Sequence, residues 1–309
     1  MSVPDFQSFM LPLLKRCANG EEHPLAYFRA QLAGDLAISE EDTQEKLPSG
    51  TQTKYENRVR WAAIYLHRAG CLERVRRGVF KITVRGQKIL SDKPGRITVK
   101  LLNQFPEFKV FHQGKAADNT TEPPAGPSTG TETEDTQTPE EALESSYQAL
   151  QNSLANEILD AVKKMTPEAF EQLVVTLLVA MGYGGSLQDA GKAVGKAGDE
   201  GIDGMIKEDK LGLDTVYLQA KKWLDTIVGR PVVQAFAGSL EGHRARKGVM
   251  ITTSSFSQEA KDYVQKIEKK IVLIDGKQLA QLMIEHDVGV TITKVYSLKK
   301  LDQDFFEAE

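Results

Sequence analysis

Only two cysteines, Cys17 and Cys71, occur in the 309 residues. They form no Cys-x-x-Cys pair, and the five histidines show no metal-ligand spacing, so the sequence offers neither a disulfide framework nor a structural zinc site. No apolar run approaches the ~20 residues of a membrane-spanning helix, and the N-terminus lacks the pattern of a secretory signal. We therefore expect a cytoplasmic protein without membrane attachment.

Phosphate-binding glycine loops are also missing. Seven glycines lie between Gly184 and Gly204, but Gly191-Lys192 is followed by Ala193 rather than by Ser or Thr. Neither the GxxxxGK spacing nor GxGxxG after a strand occurs. The sequence therefore does not predict nucleotide binding or a motor function.

Charge is unevenly distributed, although the formal net charge is only -4. Between Lys54 and Lys100 there are 13 Lys and Arg residues against 3 acidic ones. Between Gln113 and Glu141 the balance reverses, with 1 Lys against 7 acidic residues. A basic block is thus joined to an acidic one, which indicates a nucleic-acid partner for the basic part.

The acidic stretch also marks the domain organisation. Residues 113–140 are rich in Pro, Gly, Thr and Glu and nearly free of large apolar side chains, so they predict a flexible linker. We expect a DNA-binding domain over 1–112, a catalytic domain over 141–290 and a C-terminal tail over 291–309.

The first domain is predicted to contain three helices followed by a hairpin. Apolar residues recur at helical spacing in Asp5–Cys17, Leu25–Leu36 and Tyr55–Ala69, and two short strands follow at Leu72–Val75 and Val79–Val84. This order is typical of a winged helix-turn-helix domain. Polar and basic side chains of the third helix and the hairpin turn would then face DNA: Asn57, Arg58, Arg60, Arg68, Arg76 and Arg77. The alternative is a solvated basic face on a small helical domain.

The second domain alternates between helices and strands in the order α-β-β-α-β-α-β-α. Its first helix is predicted to begin at Thr166-Pro167, with Thr as the cap and Pro at the first helical position. The last strand and helix are placed at Ile271–Asp275 and Lys277–His286. This order predicts an α/β fold in which helices flank a sheet.

Polar residues converge on the predicted hairpin within Gly201–Trp223. If the strands pair symmetrically about Leu211, Asp203 lies opposite Gln219 and shares a sheet face with Gln219 and Lys221. A carboxylate and an amide oxygen can bind a hard cation such as Mg²⁺, and a lysine can reach its water or a phosphate. On spacing alone, a hairpin with a solvated polar face explains the pattern equally well.

The second domain resembles the restriction-endonuclease-like nucleases. It is most similar to the Mrr family of modification-dependent (type IV) restriction enzymes, which use Gln-x-Lys in place of acid-x-Lys. The resemblance covers nearly the whole domain and is carried by several segments in order: FEQLVVTLLVAMGYGG, GDEGIDG, LGLDTVYLQAKKW, VGRPVVQAFAGSL and KGVMITTSSFS. The preceding winged-helix domain and acidic linker match the domain order of that family.

The resemblance implies a role for each matching residue. Asp203 and Gln219 would bind the metal, with a contribution from the Ala220 carbonyl, and Lys221 would activate the attacking water and offset transition-state charge. Two further residues are implied at the site, Glu171 as an accessory acid and metal ligand and Gln234 as a supporting polar group. Because Gln219 is neutral, we expect weaker metal affinity than at a site with two carboxylates.

Together these patterns predict a DNA endonuclease that uses Mg²⁺ or Mn²⁺ to hydrolyse phosphodiester bonds. The resemblance implies double-stranded, methylated DNA as the substrate and restriction of foreign DNA as the role. Two cuts per duplex favour a homodimer or homotetramer. The alternatives are a DNA-binding regulator with an inactive nuclease-like dimerisation domain, and a structure-selective repair nuclease on the same fold.

Overall fold

The computed structural model describes residues 2–112, 136–184, 201–208, 214–224 and 226–299. The chain forms two units, which divide between Gln148 and Ala149. Most of the predicted linker, 113–140, lies outside the described residues, as does the end of the predicted tail, 300–309. Within the described ranges, no helix has the length and apolar character needed to cross a membrane.

The N-terminal unit combines short helices with a small three-stranded sheet. Its elements are α1 (Phe6–Arg16), β1 (His23–Pro24), α2 (Leu25–Asp35), α3 (Glu40–Gln44), α4 (Lys54–Arg68), β2 (Leu72–Arg76), β3 (Val79–Ile82), α5 (Val84–Ser91), α6 (Val99–Leu102) and α7 (Pro106–His112). The three predicted helices and the predicted hairpin are present. The sequence patterns do not reveal β1, which pairs with β3 in the order β1-β3-β2, or the short helices α3 and α5 to α7.

Capping residues explain where the long helices of this unit begin and end. Asp5 accepts two of the free N–H groups of α1, at 3.0 and 3.3 Å. Thr53 caps α4 by accepting the N–H of Glu56 at 3.1 Å. α4 ends just before Gly70, whose φ of +70° provides the predicted C-terminal turn.

The predicted apolar faces of α1 and α4 form the core of this unit. The buried side chains of these two helices include Phe6, Phe9, Met10, Leu13, Leu14, Val59, Ala62, Ala63 and Leu66. Each large apolar side chain removed from water contributes about 1.5–3 kcal/mol. The period of 3.6 in the sequence therefore identified the buried faces of α1 and α4 correctly.

The division between the units falls within the long helix α8 (Pro139–Lys164). The elements that follow are α9 (Pro167–Ala180), β4 (Gly204–Lys207), β5 (Thr215–Lys221), α10 (Arg230–Gly242), β6 (Lys247–Thr252), α11 (Gln258–Lys266), β7 (Lys270–Ile274) and α12 (Gly276–Glu285). This is the predicted order. Thr166 caps α9 by accepting the N–H of Ala169 at 3.2 Å, and Pro167 is the first helical residue.

The strands of the second unit form a mixed sheet in the order β4-β5-β6-β7. β4 and β5 are antiparallel, whereas β5, β6 and β7 are parallel and need the crossover helices α10 and α11. Apolar residues of α10 and α11 pack in one core, namely Val233, Phe236, Leu240 and Ala260. Residues of α9 and α12 pack in the other, including Phe170, Val174, Leu177, Leu279 and Met283. The predicted α/β fold with helices flanking a sheet is confirmed, and the sheet is mixed.

The β4–β5 hairpin has the predicted register. Four cross-strand pairs run from Gly204–Leu218 to Lys207–Thr215, so the pairing is symmetric about position 211. The turn residues 209–213 lie outside the described residues. Asp203 immediately precedes β4, and this register brings it to the end of β5 that carries Gln219.

Candidate active site

The candidate site lies where β4 begins and β5 ends. Asp203 directly precedes β4, whereas Gln219 and Lys221 belong to the last three residues of β5. The apolar residues of β5 alternate between the two cores: Val216 and Leu218 pack with α9, and Tyr217 packs with α10. Strand alternation therefore places Gln219 and Lys221 on the face of Tyr217, as predicted.

Three hydrogen bonds tie the segment before β4 to the end of β5. The Asp203 N–H donates to the Leu218 carbonyl at 2.9 Å, and the Ala220 N–H donates to Asp203 Oδ2 at 2.7 Å. The third bond runs from Gln219 Nε2 to the Gly201 carbonyl. These bonds hold Asp203 and Gln219 together, and a carboxylate has a second oxygen that can bind another ligand.

Gln219 is not part of a solvated polar face, because it is only 5% exposed. Its Oε1 is buried and has no hydrogen-bond partner among the residues that the structure describes. An unpaired buried acceptor costs about 1–3 kcal/mol, so it needs an explanation in a native fold. Because Nε2 is bonded to Gly201, the oxygen is the end of the amide that is left to bind an ion.

Gly201 fixes the orientation of this amide, and the sequence analysis did not identify that role. Its φ is +89°, a conformation that L side chains rarely adopt. A Cβ at this position would lie 3.0 Å from Gln219 Nε2 and 3.6 Å from Ser239 Oγ. The available signal was the glycine two positions before the acid in GDEGIDG.

Glu171, on α9, contributes a second negative charge to the region. Burial raises the pKa of its carboxyl, and the negative charges of Asp203 and Glu168 raise it further, whereas Lys221 acts in the opposite direction. Glu171 is therefore close enough to Asp203 and Lys221 to sense both charges. A role for Glu171 at the site stays a prediction.

The end of β5 is held from the neighbouring strand β6. Thr252 is fully buried and donates its hydroxyl to the Lys221 carbonyl at 2.9 Å. Thr253, 1% exposed, donates to the Trp223 carbonyl at 2.7 Å. These contacts fix the backbone on either side of Lys222. The sequence analysis missed both threonines because β-branched residues are ordinary in strands.

The donor set suits a hard divalent cation. Asp203 and Glu171 could each supply a carboxylate oxygen and Gln219 its unpaired amide oxygen, and Mg²⁺ prefers oxygen ligands of these kinds. Over the described ranges, no three His, Cys, Asp or Glu side chains are grouped to hold a metal ion. In a Gln-x-Lys site the amide replaces one carboxylate, so two acids and one amide are the candidate ligands.

The remaining implied residues are less closely connected to this cluster. Gln234 is exposed on α10, and its supporting role stays a prediction. Lys222, the residue after Lys221, donates to the Met165 carbonyl.

The five arginines predicted to bind DNA divide into two groups in the N-terminal unit. Arg68, Arg76 and Arg77 are exposed, and the Arg76 side chain keeps 74% of its surface in solvent. Arg58 and Arg60 instead contact Glu141 and Glu140, and the Arg58 side chain is only 12% exposed. Both of these side chains are thus paired within the chain, and a DNA-binding role stays a prediction for all five arginines.

Both parts of the chain match known families. Residues 162–283 match the model of the Mrr catalytic domain, described as a restriction endonuclease, and residues 6–92 match the Mrr N-terminal domain. The chain is 36% identical, over 99% of its length, to the type IV methyl-directed restriction enzyme EcoKMrr of Escherichia coli (strain K12), whose whole length is covered.

Two solved structures are also similar in part. One is the DNA modification-dependent restriction endonuclease AspBHI, with 18% identity and a TM-score of 0.35 over 46% of this chain and 38% of that one. The other is the MspJI restriction endonuclease in complex with a 27-mer oligonucleotide, with 19% identity and a TM-score of 0.31 over 66% of this chain and 47% of that one.

Proposed function

The chain belongs to the Mrr family of restriction endonucleases, and we propose that it cuts methylated double-stranded DNA with Mg²⁺ or Mn²⁺ at the site around Asp203 and Gln219. One observation carries the metal site. Gln219 Oε1 is buried without a partner among the described residues, while Nε2 of the same amide is bonded to Gly201. A structural glutamine would bond both ends of its amide.

The methylated substrate is carried over from the relative. EcoKMrr is named a methyl-directed enzyme, and its similarity to this chain extends through both units. The family supports a nuclease over a regulator or scaffold, and the buried amide oxygen of Gln219 supports the proposed site. Nicking of differently methylated plasmids determines which modified base is recognised.

Each residue of the site has a separate role in the proposed reaction. Asp203, Gln219 and Glu171 would hold the ion, which would supply positive charge to the scissile phosphate. Lys221 orients the attacking water and offsets negative charge that develops on the phosphate oxygens. Thr252 holds the carbonyl of Lys221 and so keeps that residue at the end of β5.

The N-terminal unit provides the contact with duplex DNA. Its helix α4 is followed by the β2–β3 hairpin, and exposed arginines lie on both: Arg68 on the helix, Arg76 and Arg77 at the hairpin turn. Cations on a helix and on an adjacent hairpin are the arrangement with which a winged helix contacts phosphates. We assign the winged-helix role to this unit on that basis.

Cleavage of both DNA strands requires two active sites and therefore favours an oligomer. One described site per chain makes one cut, so a homodimer or homotetramer is part of this proposal, as is a cytoplasmic location. Molar mass measured by light scattering, with and without a DNA duplex, tests the assembly, and a monomer in both conditions contradicts it.

The test of the function is plasmid nicking with Mg²⁺, comparing the native chain with Asp203→Ala. Asp262→Ala, on the surface of α11, is the matched control. Unmodified, cytosine-methylated and adenine-methylated plasmids are assayed in parallel. We expect cutting of a methylated plasmid by the native chain and the control, and none by Asp203→Ala. Equal cutting by Asp203→Ala would remove that residue from the site, and equal cutting of all plasmids would remove methylation from the substrate.

A further inference from the structure

The surface of α4 carries a second binding site. We propose that Asn57, Arg58, Arg60 and Trp61 form a site for acidic groups, that Glu140 and Glu141 of the same chain fill it, and that DNA phosphates compete with them. The inference rests on the proposed DNA binding by the N-terminal unit. All of these residues belong to that unit.

Glu140 is bound by three different donors of α4. Its carboxylate accepts hydrogen bonds from Asn57 Nδ2 at 3.2 Å, from the Arg60 guanidinium and from Trp61 Nε1. Charge-assisted hydrogen bonds of this kind are roughly twice as strong as neutral ones. Three donors on one helix thus converge on a single anionic group.

Glu141 and Thr138 complete the contact. Glu141 accepts from Arg58 Nε at 2.8 Å and from the Thr138 N–H at 2.9 Å, and Thr138 donates its hydroxyl to Asn57 Oδ1 at 2.6 Å. Thr138 and Asn57 are fully buried, and Glu141 is 8% exposed. A capping box over Thr138–Glu141 therefore shapes the start of α8 as it packs on α4.

The site is suited to phosphate as well as to carboxylate. Two arginines face two glutamates, and a phosphate group presents more acceptor oxygens than a carboxylate. Arg60 Nε is buried and has no partner among the described residues, so Glu140 leaves one guanidinium donor unused. Arg58 also donates to the carbonyls of Val3 and Pro4, which keeps it in place when the glutamate leaves.

The two glutamates lie at the end of the acidic stretch and belong to the same chain as α4, so they are tethered to it. A tethered ligand has an effective concentration on the order of millimolar. DNA must therefore displace the glutamates before its phosphates reach Arg60. The contact acts as an internal competitor that weakens DNA binding by the N-terminal unit.

The experiment measures DNA affinity of the full chain by fluorescence anisotropy on a labelled duplex. The double variant Glu140→Gln/Glu141→Gln removes both charges from the contact. The control Glu144→Gln/Glu157→Gln removes two charges from α8 outside it. We expect the first variant to bind about tenfold more tightly, with a log–log salt slope steeper by up to about 1.8, since each freed arginine adds about 0.9. The control should match the native chain within twofold.

Two further variants make the outcome decisive. Glu140→Gln alone keeps the buried Glu141–Arg58 pair, so it preserves the fold and should still bind about threefold more tightly. Arg60→Gln should weaken binding more in the Glu140→Gln background than in the native chain. Unchanged affinity of both glutamate variants, or a Glu140→Gln variant that only unfolds at lower temperature, would overturn the competition.

Failure of the underlying function has a different signature. If Arg76→Gln/Arg77→Gln leaves DNA affinity unchanged, the N-terminal unit is not the DNA-binding surface, and the inference fails with it. If that variant weakens binding while the glutamate variants do not strengthen it, the proposed function stands and only the competition is refuted.

Discussion

Because the buried oxygen of Gln219 has no partner among the described residues, we predict that replacing this residue does not destabilise the metal-free protein, unlike most substitutions of buried residues. In Gln219→Met, an unbranched side chain of similar length replaces the amide. Removing a buried unsatisfied acceptor returns about 1–3 kcal/mol, and losing the Nε2 hydrogen bond costs about 1 kcal/mol. The Gly201 carbonyl belongs to an exposed residue, so water can replace its partner. We expect the metal-free variant to be as stable as the native chain or up to about 2 kcal/mol more stable.

The assay is thermal unfolding in EDTA and again with excess Mg²⁺ or Mn²⁺. For a unit of this size, 1 kcal/mol corresponds to roughly 2–4 °C. A metal ion at a hundred times its Kd stabilises the native chain by about 2.7 kcal/mol, and we expect no such gain for Gln219→Met. Gln281→Met, at an exposed position of α12, is the control and should change neither measurement.

One result would refute this reasoning directly. If Gln219→Met in EDTA loses about 1 kcal/mol or more, its oxygen is satisfied within the protein and is not reserved for a ligand. If the variant still gains the full stabilisation on metal addition, the ion binds without Gln219. The measurement in EDTA thus tests whether the oxygen is unpaired, and the measurement with metal tests whether Gln219 binds the ion.

Three other changes around the site have defined outcomes. Lys221→Ala should slow nicking by about 10²–10³-fold while DNA affinity is kept, and equal nicking would remove Lys221 from the mechanism. Gly201→Ala should weaken metal binding, measured by calorimetry, because the added Cβ would crowd Gln219 Nε2. The control Gly238→Ala places its Cβ in open space and should bind metal as the native chain does. Equal metal affinity of Gly201→Ala and the native chain would contradict the orienting role of Gly201. Glu171→Gln should raise the unfolding temperature at pH 7, because a glutamate with a raised pKa loses its stabilising contribution as pH rises through that pKa. The gain should vanish below pH of about 4, where the carboxyl is protonated in both states, and a gain independent of pH would exclude the charge as its cause.

Local patterns were sufficient for the longer elements and for the register of the β4–β5 hairpin, although not for β1 or the short helices α3 and α5 to α7. Thr166 and Pro167 marked the start of α9, and symmetric pairing about position 211 placed Asp203 beside Gln219. These features depend on side chains close in sequence or on the two-residue period of a strand. The catalytic role of Lys221 was assigned from the resemblance, because a solvent-exposed hairpin can contain the same residue types.

Contacts between distant residues could not be predicted in this way. Arg58 and Arg60 have the spacing of a DNA-facing helix, and nothing near them in sequence indicates that Glu140 and Glu141 bind them. The two-residue strand β1 is defined only by its pairing with β3. In each case a partner far along the chain decides where a side chain or a short segment lies.

Because Gln219 is neutral, metal binding by its amide would require a fixed orientation of the side chain. A carboxylate presents an oxygen whichever way it turns, but a glutamine turned over presents an NH₂ group that repels a cation. Gly201 prevents that turn by accepting from Nε2, and its positive φ lets the carbonyl approach without a side chain in the way. The glycine before the acid and the glutamine on β5 are therefore coupled. Replacing Gln219 by Glu would lose the Nε2 donor and place a carboxylate against the Gly201 carbonyl, so the acid-x-Lys motif cannot be restored here by one substitution without also changing the segment that Gly201 anchors.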